Sequence, residues 1–137
     1  MMGPMAEIAG YVLRIAKDCW VDHVFNMAIY HTRLHRRWRP DQTIIFIHKT
    51  NAGDAIVGYG VTENVYQQND LSEEERLGSE EWKEAIVFKY VVRFEKPLPV
   101  RKTFLKEPKF RGRYVHGLPL SKEQLDSILN QAESPSE

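Results

Sequence analysis

The stretch R-P-D-Q-T-I-I-F-I-H-K-T-N-A-G-D-A-I-V-G-Y-G-V-T, Arg39 to Thr62, decides the fold. A Pro40-Asp41 turn leads into a β-branched run, Thr43 to Ile47, that ends in the polar group His48-Lys49-Thr50-Asn51. A Gly53-Asp54 turn follows, then a second apolar run interrupted by Gly58 and Gly60. Two such runs separated by a glycine turn predict antiparallel strands, and the internal glycines predict a sharp bend in the second. Strands that curl in this way build small barrels, whose corners need a residue without a Cβ.

The rest of the chain extends this reading. Gly10 to Ile15 predicts the first strand. Asp18 is placed to cap a helix in which Trp20, Val21, Val24, Phe25, Ala28 and Ile29 form one apolar face. Thr32 to Arg39 reads as basic turns, and strands are expected at Thr43 to His48 and Ala55 to Asn64. Gln67 to Glu84 is acid-rich and reads as an insertion, with a capping box at Ser72 and Glu75. Ala85 to Phe94 is nearly continuous in apolar residues, which predicts a central strand buried on both faces and ended by Pro97 and Pro99. Lys106 to Val115 is loop-like, and a terminal helix follows, capped by Ser121 and burying Leu125, Ile128 and Leu129. The fold class expected is α+β: a single curled, mostly antiparallel barrel with a helix after the first strand and another at the C-terminus. One domain spans residues 10–130, with flexible termini at 1–9 and 133–137.

Charge is balanced but unevenly spread. The 137 residues carry 19 basic and 19 acidic groups, a formal net charge of zero. One basic island holds Arg33, His35, Arg36, Arg37 and Arg39; a second holds Arg101, Lys102, Lys106, Lys109, Arg111, Arg113 and His116. Such islands present an electropositive face on a neutral protein, or are simply solvated. The single cysteine, Cys19, excludes an internal disulfide and reads as a buried structural thiol. No apolar run approaches the roughly 18 residues of a membrane span. The first residues lack the features of a signal peptide, so a cytoplasmic protein without membrane partners is expected.

The order Pro-Asp, strand, polar end, Ile-Val-Gly, strand resembles the EVE, ASCH and related archaeal domains of the PUA-like superfamily. Those domains carry a P-G-D-x-hydrophobic-x-F-Y strand followed by an I-V-G-x-x-x-V strand. Here Asp41 follows Pro40 directly, so the usual glycine is missing. The ending, Gly112-Arg113-Tyr114 to Pro119 and then a capped helix, resembles the closing segment of the family. The resemblance implies a PUA-like pseudobarrel over residues 10–130. It also implies a pocket between the first helix and the strand ends, with Trp20, Tyr30, His31, Phe46, His48 and Lys49 around it and Arg111 and Arg113 near its rim.

Hydrolase and phosphate-loop motifs are absent from the sequence, as are zinc motifs, and no catalytic residue, cofactor or metal is assigned. His31 and His35 stand four apart on an expected helix, but among arginines that disfavour a divalent cation. Aromatic faces interleaved with Arg33, Arg36, Arg37 and Lys49 suit a single-stranded or extruded base, which stacks while cations track phosphate. The leading expectation is a nucleic-acid reader, with RNA favoured over DNA and a modified or extruded base in an aromatic pocket. The alternatives are a small amidohydrolase acting on a modified nucleoside, using Lys17, Thr50 and Glu63, and a module that docks a protein through the acidic insertion.

Overall fold

The computed structural model describes residues 8–34, 36–67, 83–110 and 114–133. In chain order the elements are β1 (Gly10–Arg14), α1 (Asp18–Met27), β2 (Ile29–Thr32), β3 (Thr43–Thr50), β4 (Gly53–Gln67) and β5 (Glu84–Pro99). Short 3-10 turns between Val100 and Phe110 lead to β6 (Pro119–Leu120) and α2 (Lys122–Glu133). The strands form one mixed sheet in the order β2-β5-β4-β3-β1-β6. β1 runs parallel to β3, and every other pairing is antiparallel.

Both faces of the central strands are covered, which explains why Thr43 to Ile47 lacks polar alternation. Tyr11, Leu13, Ile44 and Phe46 point to the α1 side, where they join Val21, Val24, Ile86 and Phe88. Val12, Ile45 and Ile47 point to the other side and meet Ile56, Leu105, Val115, Leu125 and Ile128. Phe46 is the hub of the first layer, edge-on to Phe25 and to Phe88 at ring separations of 5.6 and 5.5 Å.

Sheet order alone leaves β2 and β6 as open edges. The segment after β2 crosses between them: Leu34 and Trp38 pack on the α1-side core, and Arg36 Nε donates to the Gly117 carbonyl just before β6 at 3.0 Å. Its return into β3 is fixed by buried Gln42. The Gln42 Oε1 accepts from the Arg39 N–H at 2.8 Å, and Thr62 Oγ1 accepts from the Gln42 N–H at 2.9 Å. Between them Asp41 adopts φ 65°, the left-handed region that favours glycine. Aspartate tolerates that conformation better than most residues, and its carboxylate pairs with Lys89.

Several expectations need correction. Ala28 and Ile29 are expected on the apolar face of the helix, yet α1 ends at Met27 and Ile29–Thr32 is a strand, paired with Glu84–Val87. β5 is not a central strand buried on both faces. β2 covers it only to Val87, so beyond Phe88 its free side is an edge and Tyr90 is 51% exposed. For the same reason Pro97 does not stop it, because a missing N–H costs nothing on an unpaired edge, and β5 runs to Pro99 opposite Ala55. Asp18 does not cap α1. Lys17 holds the N-cap position without a side-chain bond, while Asp18 engages His48. Cys19 is exposed rather than buried, because it lies on the outer side of the first helical turn. The acidic insertion falls almost entirely outside the described residues.

Other readings hold. Ser121 Oγ accepts from the Gln124 N–H at 3.2 Å and Gln124 Oε1 from the Ser121 N–H at 3.0 Å, a reciprocal cap on α2. Leu125 and Ile128 are buried beneath it. Among the described residues no helix is long and apolar enough to cross a membrane.

The glycine-marked bend in β4 has a second physical basis. Pairing with β5 shifts register between Ile56 and Gly58, and a Cβ at Gly58 would lie 2.2 Å from the Val92 carbonyl oxygen and 2.6 Å from the Phe25 ring. Gly58→Ala is therefore expected to destabilise the protein by about 1–3 kcal/mol through overpacking. A chemical-denaturation midpoint unchanged from the parent would contradict this packing.

Candidate functional site

Parallel strands deliver their carboxyl ends to the same place, a common location for ligand sites. β1 and β3 end side by side, with Arg14 opposite Ile47 and the Ile15 N–H donating to the Ile47 carbonyl at 2.7 Å. Because side chains alternate along a strand, this end presents two different constellations, one on each face of the sheet.

On the α1 face His48 is held by two acceptors. Its Nδ1 lies 2.7 Å from the Ile15 carbonyl oxygen, and its Nε2 lies 2.5 Å from Asp18 Oδ1. In the doubly protonated form the ring donates to both. The His48 side chain is only 12% exposed, whereas Asp18 is 94% exposed. An ion pair with one fully solvated partner contributes little, about 0–1 kcal/mol, so the carboxylate is readily displaced. Within the same helical turn the Lys17 ammonium sits 5.0 Å from the centroid of the Trp20 ring. Trp20 is half-buried and packs on the α1-side core.

On the opposite face the Arg14 guanidinium grips Asp54 through two bonds, Nε to Oδ2 at 3.1 Å and Nη2 to Oδ1 at 3.0 Å. The Arg14 backbone N–H donates to His116 Nδ1 at 3.0 Å. Gly117 has φ 81°, and a Cβ there would meet the Arg36 guanidinium at 2.6 Å, so a glycine is needed beneath that side chain. Burial holds the His116 pKa below the usual histidine range, and the Arg36 and Arg14 charges add to this effect.

The residues expected around one pocket are divided by this arrangement. Trp20 and His48 do share the strand-end region. Phe46 is fully enclosed in the core, and Tyr30 and His31 are buried in β2. Burial pushes the Tyr30 hydroxyl up to about 12. These three cannot meet a base, because the sheet closes over them. His31 does not lie on a helix with His35, which is outside the described residues; instead its ring lies 5.7 Å from that of His23. Lys49 pairs across the ladder with Asp54, on the face opposite His48. Arg33 and Arg37 are exposed, and Arg36 joins His116. Arg111 and Arg113 lie outside the described residues, although Leu34 and Arg36 pack on Gly117, four residues beyond Arg113 in the chain.

The hydrolase candidates do not come together. Thr50 Oγ1 donates to the Gly53 carbonyl at the hairpin, while Glu63 is ten residues further along β4, roughly 30 Å at strand rise. Glu63 instead adds to the field on Lys89. Sequence reasoning missed Arg14, Asp54 and Gly117. An arginine in the apolar run Y-V-L-R-I was the available signal for the first. At the other end of the parallel pair a groove of about 510 Å³ runs between α2 and the Arg39–Thr43 turn, with Ile8, Leu125 and Leu129 as its apolar wall.

Two histidines make stability depend on pH. The His23 pKa is lowered by burial, and that of His116 by burial and its two arginines. The unfolded chain therefore binds more protons just below the ordinary value of 6.5. Their contribution is complete above that pH and is lost as pH falls through the lower folded values. The denaturation midpoint should drop on acidification from neutrality, and His116→Gln should make the drop shallower. An identical slope in parent and variant would remove His116 from this account.

No protein-family model and no curated protein sequence matches the chain. Solved structures do. The ASCH protein from Zymomonas mobilis superposes with a TM-score of 0.64 at 14% identity, covering 90% of this chain and 96% of that one. A variant of the same protein gives 0.65 at 14% identity, covering 93% and 99%. A hypothetical protein from Leishmania major gives 0.63 at 15% identity, covering 93% and 96%. At such identities the likeness concerns architecture, and it extends over nearly the whole of each chain. This chain folds as a PUA-like pseudobarrel, of the kind that ASCH structures adopt.

Proposed function

We propose that this PUA-like chain is a non-enzymatic nucleic-acid reader that receives one unpaired or extruded base, in RNA rather than DNA, at the joined ends of β1 and β3. The observation that carries the reading is the coupling of an aromatic surface to a fixed imidazole. Lys17 lies over Trp20, and His48 is anchored through Nδ1 so that Nε2 faces the exposed Asp18. A base edge replaces Asp18 on Nε2, the base stacks on Trp20 in place of the Lys17 ammonium, and that ammonium moves to the neighbouring phosphate. Arg33 and Arg37 are exposed as well, but the Arg37 carbonyl lies beside Gln42 at the start of β3, away from His48. This role needs no nucleophile, and the candidate Thr50 ends β3 while Glu63 lies far along β4.

Anisotropy titrations of single-stranded RNA across a salt series test the proposal. Trp20→Ala is expected to weaken binding by about 1–3 kcal/mol while leaving the salt slope largely intact. Lys17→Ala is expected to reduce the slope by about one charge. Because Trp20 also packs on the core, Trp20→Phe serves as the folded control and should retain most of the affinity. Failure of the parent protein to bind RNA even at low ionic strength would overturn the reading.

A further inference from the structure

We propose, resting on the base-reading role of this strand end, that His48 and Asp18 select which base enters: they form a pair of acceptors that favours an amino-bearing base over one offering a single N–H between two carbonyls. The selection begins with one fixed proton. His48 Nδ1 lies 2.7 Å from the Ile15 carbonyl oxygen. A carbonyl oxygen only accepts, so Nδ1 carries a proton in every form of the ring that keeps this bond. In the neutral ring Nε2 is then a bare acceptor. Both partners of the bond are held. Ile15 is tied to β3 by its own N–H, which donates to the Ile47 carbonyl at 2.7 Å, and the imidazole is largely buried.

Asp18 is the second acceptor. Its Oδ1 lies 2.5 Å from Nε2, a separation that requires a proton between them, so this contact belongs to the doubly protonated ring. Once the ring is neutral, two lone pairs face each other and the exposed carboxylate turns outward into solvent. A fixed acceptor and a movable one then stand together at the strand end. The exocyclic amine of adenine or cytosine carries two N–H groups, one for each acceptor. Guanine offers the same pair through N1–H and its 2-amino group. Uracil presents one N–H flanked by carbonyl oxygens, which a carboxylate repels. The other charged groups on the packed elements are engaged elsewhere. The Lys17 ammonium lies over the Trp20 ring, and Asp22 pairs with Arg93. β4 places uncharged Ala55 opposite His48, while Arg14, Asp54 and Lys49 lie on the opposite face of the sheet.

Two measurements test the selection, the first without nucleic acid. Nitrogen-15 NMR of the free protein at about pH 8, above the ordinary histidine range, should show neutral His48 with its proton on Nδ1. A proton on Nε2 would overturn the proposal whether or not RNA binds. Anisotropy at the same pH then compares oligoribonucleotides of abasic spacers that carry one central base. Adenine should bind about three- to tenfold more tightly than unsubstituted purine, which stacks alike but lacks the amine, the worth of one neutral hydrogen bond. Cytosine should exceed uracil in the same direction. At about pH 5.5, where a protonated ring donates from Nε2, the advantage of adenine should vanish. His48→Phe should abolish the preference, and Asp18→Ala should reduce it without abolishing it. Equal affinity for adenine and purine at the higher pH, with binding that still weakens in Trp20→Ala, would overturn the selection and leave the base reader standing. No binding of any of these RNAs at low ionic strength would overturn both.

Discussion

The parallel contact between β1 and β3 is the constraint on which the rest of the molecule depends. It begins at Gly10, where a Cβ would stand 1.8 Å from the Thr43 carbonyl oxygen, and it ends with Arg14 opposite Ile47. A hairpin turn cannot join parallel strands, so the chain must travel back from one end to the other. The return path does three things. α1 covers one face of the sheet, β2 lines the far edge of β5, and the segment around Leu34 to Trp38 spans the seam to Gly117. One pairing choice thus accounts for the covering helix, the edge strand and the segment that crosses the open side of the sheet. It also sets the strand ends side by side, which is why Ile15 and Asp18 meet His48.

Electrostatics follow from that geometry. The chain is neutral in sum, and several of its aspartates serve as surface partners. Asp22 pairs with Arg93, Asp41 with Lys89, Asp18 with His48 and Asp54 with Arg14. Such exposed pairs add little stability individually. Their effect is to position side chains, among them Arg14 and His48 where the β1 and β3 ends converge. Asp18 and Asp54 occupy equivalent roles on the two faces, each holding a basic group at the same end of the sheet.

The likeness to ASCH structures lies in the layering. At 14% identity over 90% of the chain, little beyond the alternation of core positions and a few turn requirements can be shared. In the turn entering β3, Asp41 holds a left-handed conformation, Gln42 and Thr62 supply bonds that fix the turn, and the Asp41 carboxylate pairs with Lys89.

Much of the architecture was legible from local chemistry. Glycine and β-branched patterning gave the β3–β4 hairpin and the bend near Gly58, and Ser121 as a cap, with the apolar stripe after it, marked the last helix. These signals are short-range, so a linear reading captures them. It could not give the parallel register of β1, or β2 as a strand, because both arise from partners far along the chain. It placed Phe46, Tyr30 and His31 at a ligand because aromatic and imidazole groups look alike whether a sheet encloses them or leaves them open. It put His48 and Lys49 in one site because they are neighbours in sequence, although adjacent strand residues face opposite ways. By itself the sequence determined which residues prefer strand, turn or helix and which carry charge. Only the tertiary structure decided which side chains meet, since Arg14, Arg36 and His116 converge from three segments whose proximity is set by strand pairing rather than by spacing.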